Sequence, residues 1–267
     1  MKLSRSAGVS SAILLSAAFA LAGAGAAYSA EQAAPRYVAL GDSYSSGVGA
    51  GSYDSSSGNC KRSTKSYPAL WAAAHAPASF SFTACSGART GDVLSGQLAP
   101  LNSATGLVSI SVGGNDAGFA DVMTTCVLNS ESTCLQRVQQ ARQYVATTLP
   151  GKLDQVYSAI RSKAPAARVV VLGYPRLYKI NGSCIAGLSE NERSALNAAS
   201  DDLNAATAKR AADHGFTFGD VTGTFTGHQI CSSDSWIHSV TLPIDNSYHP
   251  KAAGQSGGYL PVFSSAA

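Results

Sequence analysis

The chain has 267 residues, 45% apolar and 13% charged, which is enough apolar material for a sizeable core and too little charge for a disordered chain. Its 19 basic and 16 acidic residues give a formal charge of +3. Lys2 and Arg5 open the chain, and without them the balance is 17 to 16. With no basic block interleaved with aromatics, the sequence excludes an electrostatic argument for nucleic acid binding.

The first thirty residues stand apart. A basic start leads into an Ala/Leu-rich run over residues 9–27, and no acidic residue precedes Glu31. This three-part pattern predicts a signal peptide over residues 1–30, cut between about 27 and 33, and a secreted, extracellular product. A membrane anchor is the alternative, but Ala, Gly and Ser dilute the run. Nothing downstream approaches the ~20 apolar residues of a span. Residues 31–267 show no repeat and no linker, so one domain is expected there.

Residues 36–40 form a short apolar run closed by Gly41, the pattern of a buried strand. Residues 67–75 read as a helix, and 79–84 as a strand with Phe80 and Phe82 on one face. Residues 107–112 read as a strand ending at Gly113-Gly114. A long helical stretch is expected over 135–163, interrupted at Pro150-Gly151. Residues 168–172 are β-branched, and Gly173 and Pro175 close them. Ser189 and Glu192 form an S-x-x-E capping box that opens a helix ending near His214-Gly215. Residues 216–221 read as a last strand. Strands alternating with helices predict an α/β fold, a three-layer α/β/α sandwich with a central parallel sheet. Its site belongs at the carboxyl ends of the strands, in the loops after Leu40, Ala84 and Val112.

Those loops carry polar residues of particular kinds. Gly41-Asp42-Ser43 follows the first strand, where Asp and Ser could equally be ordinary helix N-caps. Cys85-Ser86-Gly87 follows the next strand and offers a backbone N–H at Gly87. Gly113-Gly114-Asn115-Asp116 follows the third, where Asn115 can donate a side-chain N–H. Tyr248-His249-Pro250 stands near the end of the chain. A serine hydroxyl needs a base to take its proton, and a tetrahedral intermediate needs donors aimed at its oxyanion, each worth roughly 3–4 kcal/mol. These residues supply that set.

In order and spacing the four blocks resemble those of the SGNH (GDSL) hydrolase superfamily, over about residues 37–254. The resemblance implies a flavodoxin-like sheet, Ser43 as nucleophile, His249 as base, and an oxyanion hole from Ser43, Gly87 and Asn115. The run G-D-S-Y-S-S-G with six cysteines is similar to secreted bacterial lipases and phospholipases A1. One position departs from the pattern. Much of the superfamily has an Asp three residues before the His, and here that residue is Asn246. The backbone carbonyl of Ser247 is the expected partner of the imidazole, giving a Ser–His dyad, with Asp245 as the alternative. Gly254-Gln255-Ser256-Gly257-Gly258 matches a G-x-S-x-G elbow, but no strand precedes it and no His follows. Gly47, Gly49 and Gly51 resemble a dinucleotide loop that lacks its third Gly at Ser52.

Six cysteines follow the leader: Cys60, Cys85, Cys126, Cys134, Cys184 and Cys231. In an exported chain they read as three disulfides with 15 conceivable pairings. Loop closure favours Cys60–Cys85, Cys126–Cys134 and Cys184–Cys231. No CxxC pair exists and the histidines do not cluster with cysteines, so neither metal nor cofactor is expected. Trp236, Ile237, Val240, Leu242, Pro243 and Ile244 precede the His as core, loop or acyl-chain wall. Sparse charge and the resemblance favour acyl esters of lipids, a monomer, and transient contact with a lipid interface. A polysaccharide O-acetyl esterase and a non-catalytic glycan- or cell-wall-binding protein are the alternatives.

Overall fold

The computed structural model describes residue 3, residues 34–184 and residues 187–267. The leader expected over residues 1–30 lies, Leu3 apart, outside the described residues. Met1–Gln32 and Ala33–Ala267 separate as two units, and the fold below is that of the second.

In chain order the elements are β1 (Arg36–Gly41), α1 (Ser43–Ser46), α2 (Tyr67–His75), β2 (Ser79–Phe82), α3 (Thr90–Asp92), β3 (Thr105–Ser111), α4 (Phe119–Leu128), α5 (Glu131–Thr147), α6 (Leu149–Lys163), β4 (Arg168–Leu172), α7 (Glu190–Asp213), β5 (Thr217–Gly219) and α8 (Leu260–Ala266). The strands form one parallel sheet in the order β2-β1-β3-β4-β5. Helices surround it in a three-layer α/β/α sandwich. In β1 and β4 every residue after the first is buried, as strands covered on both faces require.

The core explains several local choices. Tyr37 of β1 stacks on Phe80 and Phe263, and Trp71 of α2 meets Tyr37 and Phe263 edge-on. Leu149, Leu153, Tyr157 and Ile160 bury one stripe of α6. The capping box forms as expected, with Ser189 Oγ accepting from Glu192 N and Glu192 Oε2 accepting from Ser189 N.

One expectation needs correction, and one helix was missed. The stretch over 135–163 is two helices, and the break falls at Thr148, ahead of Pro150. Pro150 lies in the first turn of α6, where its missing N–H has no intrahelical partner to lose. α4 was not expected at all. It starts at Gly118 without a side-chain cap and carries Val122, Thr124, Thr125 and Val127, β-branched residues that weaken helical pattern and propensity alike.

The strand order puts a topological switch point between β1 and β3, because the chain leaves β1 for one side of the sheet and then returns to the other. The crevice beyond the carboxyl ends of those strands is where such sheets bind ligands. Gly41 pairs with Ser111 in the last register of β1 and β3. Its φ is +121°, and a Cβ there would lie 2.4 Å from the Ser111 carbonyl oxygen. Only glycine fits this close approach.

Three disulfides join Cys60–Cys85, Cys126–Cys134 and Cys184–Cys231. The prediction is that the denatured, unreduced chain reacts with no thiol reagent and that reduction releases six thiols. Reduction should also lower stability, each bridge contributing ~2–4 kcal/mol. A stoichiometric free thiol before reduction would contradict this pairing.

Candidate active site

Ser43 is the first residue of α1, directly beyond β1, and Asp42 caps that helix by accepting from Tyr44 N at 3.0 Å. Asn115 follows β3, Gly87 follows β2, and His249 comes from a late loop. Ser43, Gly87, Asn115 and His249 line one cleft of about 490 Å³. The four blocks that are far apart in sequence therefore meet in space.

His249 Nε2 lies 2.8 Å from Ser43 Oγ. His249 Nδ1 donates to the Ser247 carbonyl at 3.0 Å. A carbonyl only accepts, so Nδ1 carries the proton and Nε2 presents its lone pair to the Ser43 hydroxyl. Asp245 is turned away: its carboxylate takes Lys61 Nζ at 2.5 Å and its side chain is 61% exposed. Asn246 Oδ1 accepts from Tyr53 at 3.0 Å.

Three donors surround the nucleophile. Among the described residues nothing accepts from the N–H of Ser43 or of Gly87. Gly87 has φ +78°, a conformation suited to glycine. Asn115 Nδ2 gives one hydrogen to the Ala88 carbonyl at 3.0 Å, which orients the amide and leaves its second hydrogen for the cleft. This arrangement can deprotonate a hydroxyl, carry it to a carbonyl carbon, and receive the charge that moves onto the carbonyl oxygen.

Residues given no part in the site by the sequence reading hold this geometry. Asp42 is buried and accepts from Tyr174 Oη at 2.5 Å and from Ser111 Oγ at 2.7 Å. Burial pushes its carboxyl up to about 6, against the lowering effect of these hydrogen bonds. Tyr44 donates to the Tyr248 carbonyl at 2.7 Å, and its ring lies 5.3 Å from that of His249. Tyr248 itself has φ +64°, strain that its neighbours must hold. Gln255 joins the N–H of Tyr67 to the carbonyl of Tyr44. Tyr174 stands just beyond β4, so the rule that found the other loops would have pointed to it too.

The apolar wall is wider than the sequence suggested. Phe119, Met123, Val127 and Leu128 of α4 line the cleft opposite Val240 and Ile244. Trp236 instead stacks on His228, and Ile237 is buried. The G-x-S-x-G decoy stays outside the cleft, where exposed Ser256 bonds the Ala252 carbonyl.

Comparisons with known proteins identify the family. The model of the GDSL-like Lipase/Acylhydrolase family matches residues 39–256, a span that holds all four blocks. The chain belongs to this family. Family membership makes the protein a carboxylic ester hydrolase. It is 70% identical over 267 residues to a protein named Lipase from Streptomyces rimosus, with both chains fully covered. The crystal structure of the extracellular lipase of Streptomyces rimosus superposes with a TM-score of 0.86 at 72% identity, covering 88% of this chain and all of that one. The structure of phospholipase A1 from Streptomyces albidoflavus NA297 has a TM-score of 0.86 at 67% identity, with the same coverage.

Burial pushes His249 down to about 4 from an ordinary 6.5, although the Ser247 carbonyl favours its charged form. The unfolded chain therefore binds a proton at this residue between pH 6.5 and 4 that the folded chain refuses, and stability is lost as pH falls through that window. His249→Gln removes this dependence. Relative to wild type the variant should gain up to about 3 kcal/mol between pH 6.5 and 4, read by urea unfolding at each pH. A constant difference across the window would refute the depressed value.

Proposed function

We propose that the protein is a secreted hydrolase of acyl esters of lipids, of lipase or phospholipase A1 type, working through a Ser43–His249 dyad. One observation carries the mechanism: the ring of His249 bridges the Ser247 carbonyl and the Ser43 hydroxyl with its tautomer fixed. His249 Nε2 takes the Ser43 proton as Oγ attacks the ester carbonyl. The oxyanion settles between the N–H groups of Ser43 and Gly87 and the Asn115 amide. The protonated imidazole then gives its proton to the leaving alcohol, and an acyl-enzyme remains. Water, deprotonated by the same nitrogen, attacks the acyl-enzyme. The acid leaves and Ser43 regains its proton. No step calls for a metal or cofactor.

The apolar cleft supports an acyl chain, and the names of the relatives, lipase and phospholipase A1, support a lipid ester. The extracellular lipase among the solved structures and the leader expected over residues 1–30 together support secretion. A polysaccharide acetyl ester would leave most of the apolar wall unused, and a binding protein would have no need of a fixed imidazole on Ser43.

Exposed apolar side chains line the cleft, Leu128 at 74% and Ile244 at 61% exposed, and Leu242, two residues before Ile244, is 86% exposed. Such a patch beside an apolar cleft suits transient contact with a lipid surface. The chain is expected to act as a monomer there.

Ser43→Ala should abolish turnover of a soluble p-nitrophenyl ester and leave folding intact, whereas Asp245→Asn should cost little. In a triad the second exchange costs about 10⁴ in kcat. A thousandfold loss in folded Asp245→Asn would remove the dyad from this reading. Leu242→Ser should weaken partition onto phosphatidylglycerol vesicles by about tenfold, as read by sedimentation. Unchanged partition would remove the lipid contact.

A further inference from the structure

A second cleft, of about 510 Å³, opens on the other side of Gly87. It shares only Ser86 and Gly87 with the first, and its other lining residues include Arg62, Thr83, Asp92 and Ser95. The two clefts differ in character. The first is walled by α4 and the apolar residues before His249, and the second has a larger polar share, with Arg62, Thr83, Asp92 and Ser95 in its lining. A Cβ built on Gly87 would meet no atom within 4 Å, so the strip between the clefts is open.

Most polar groups of the second cleft are already committed. Thr83 Oγ1 donates to the Gln97 carbonyl at 3.0 Å. The Gln97 amide exchanges hydrogen bonds with the backbone of Gly41. Asp92 accepts from Arg89 N at 2.9 Å. Arg62 is different. It makes no ion pair among the described residues, and its guanidinium, with five donors, has one long bond of 3.5 Å to the Ala84 carbonyl. Asp54 lies in its field but spends its oxygens on Ser56. The Ser86 hydroxyl also has no partner among the described residues.

These two free donors are held together by covalent structure. Arg62 stands two residues after Cys60 and Ser86 one after Cys85, the disulfide joins the two cysteines, and Ser86 N donates to the Cys60 carbonyl at 3.1 Å. A cation with unspent donors, fixed next to the residue that meets the ester oxygen, is a receptor for an anion on the substrate.

We propose that Arg62, with Ser86, binds the phosphate of a glycerophospholipid while the acyl chain lies in the apolar cleft. The inference rests on the ester-hydrolase reading above and adds the side of the substrate that reading leaves open. An ester has an apolar acyl side and an alcohol side, and of the two clefts meeting at Gly87 the second is the one that offers a guanidinium beside the hydroxyl of Ser86.

The test compares two substrates that differ only in the headgroup, dihexanoylphosphatidylglycerol and dihexanoylglycerol, each below its micellar concentration. The readout is the ratio of kcat/KM for the phospholipid to kcat/KM for the diacylglycerol. Arg62→Gln should lower this ratio by about tenfold or more, mainly through KM, and Arg62→Lys should restore part of it. An unchanged ratio in Arg62→Gln, or an equal fall on both substrates, overturns the proposal. A wild type that cleaves only the diacylglycerol also overturns it and leaves the hydrolase reading standing. A wild type that cleaves neither would instead count against the hydrolase reading itself.

Discussion

The site depends on one buried carboxylate. Asp42 sits at the switch point of the sheet, beyond the end of β1, and its oxygens gather Tyr44 N from α1, Ser111 Oγ from the end of β3 and Tyr174 Oη from the end of β4. An ionised carboxylate only accepts, which fixes the direction of the chain behind it. Ser111 Oγ donates to Asp42, so it accepts from Ser45 Oγ at 2.8 Å. Ser45 Oγ in turn accepts from Tyr67 Oη at 3.0 Å and from Ser111 N at 3.1 Å. Three strand ends and α2 are joined by one polarised network. Ser43 is the next residue after its acceptor, and Gly114, whose N–H reaches Tyr174 Oη at 3.4 Å, precedes Asn115. The spacing between nucleophile and oxyanion donor is set by a group that touches no substrate.

That constraint also explains what could be read from the chain. The β-branched runs of β1, β3 and β4 show as strands because a buried parallel strand is apolar on both faces. The four blocks could be found because chemistry fixes their residue types: a nucleophile, a base, an amide, and a glycine where the backbone must turn. Asp42 was visible only as a helix cap, since the same short side chain serves both uses. Tyr174 had only its place beyond β4 to mark it, and Ser111, Tyr67 and Gln255 carry no local signal. Their roles exist only once the strands align and the tail of the chain packs beneath α1 and α2. α4 was hidden for a different reason. Its helix is imposed by packing, with Val122, Met123 and Cys126 buried against the core, while its sequence favours extended backbone. The α4 side of the apolar cleft wall was lost with it.

The two titrating groups at the centre of the site oppose one another. Burial raises Asp42 and lowers His249, because in each case it disfavours the charged form. Between pH 4 and 6 the folded protein takes up a proton at Asp42 that the unfolded chain has shed, and refuses one at His249 that the unfolded chain accepts. The two slopes have opposite signs and largely cancel. With the two groups side by side, the site loses less stability as pH falls through that range than His249 would impose alone.

A carbonyl in place of a carboxylate changes how catalytic work is shared. The Ser247 carbonyl fixes the imidazole tautomer as an aspartate would, but it brings a partial charge where the aspartate brings a full one. The imidazolium formed during attack is therefore less stabilised from behind, and burial disfavours it further, holding the pKa near 4. Its compensation must come from the front. The negative charge that develops at the same moment lies among the N–H groups of Ser43 and Gly87 and the Asn115 amide, close to the imidazolium and screened from bulk water by the cleft walls. In such a site the ion pair of the transition state is held mainly by its own two charges and by donors placed before reaction begins. The precision of those donors then matters more than in a triad, and the Asp42 network and the Cys60–Cys85 link tie down the segments that carry them.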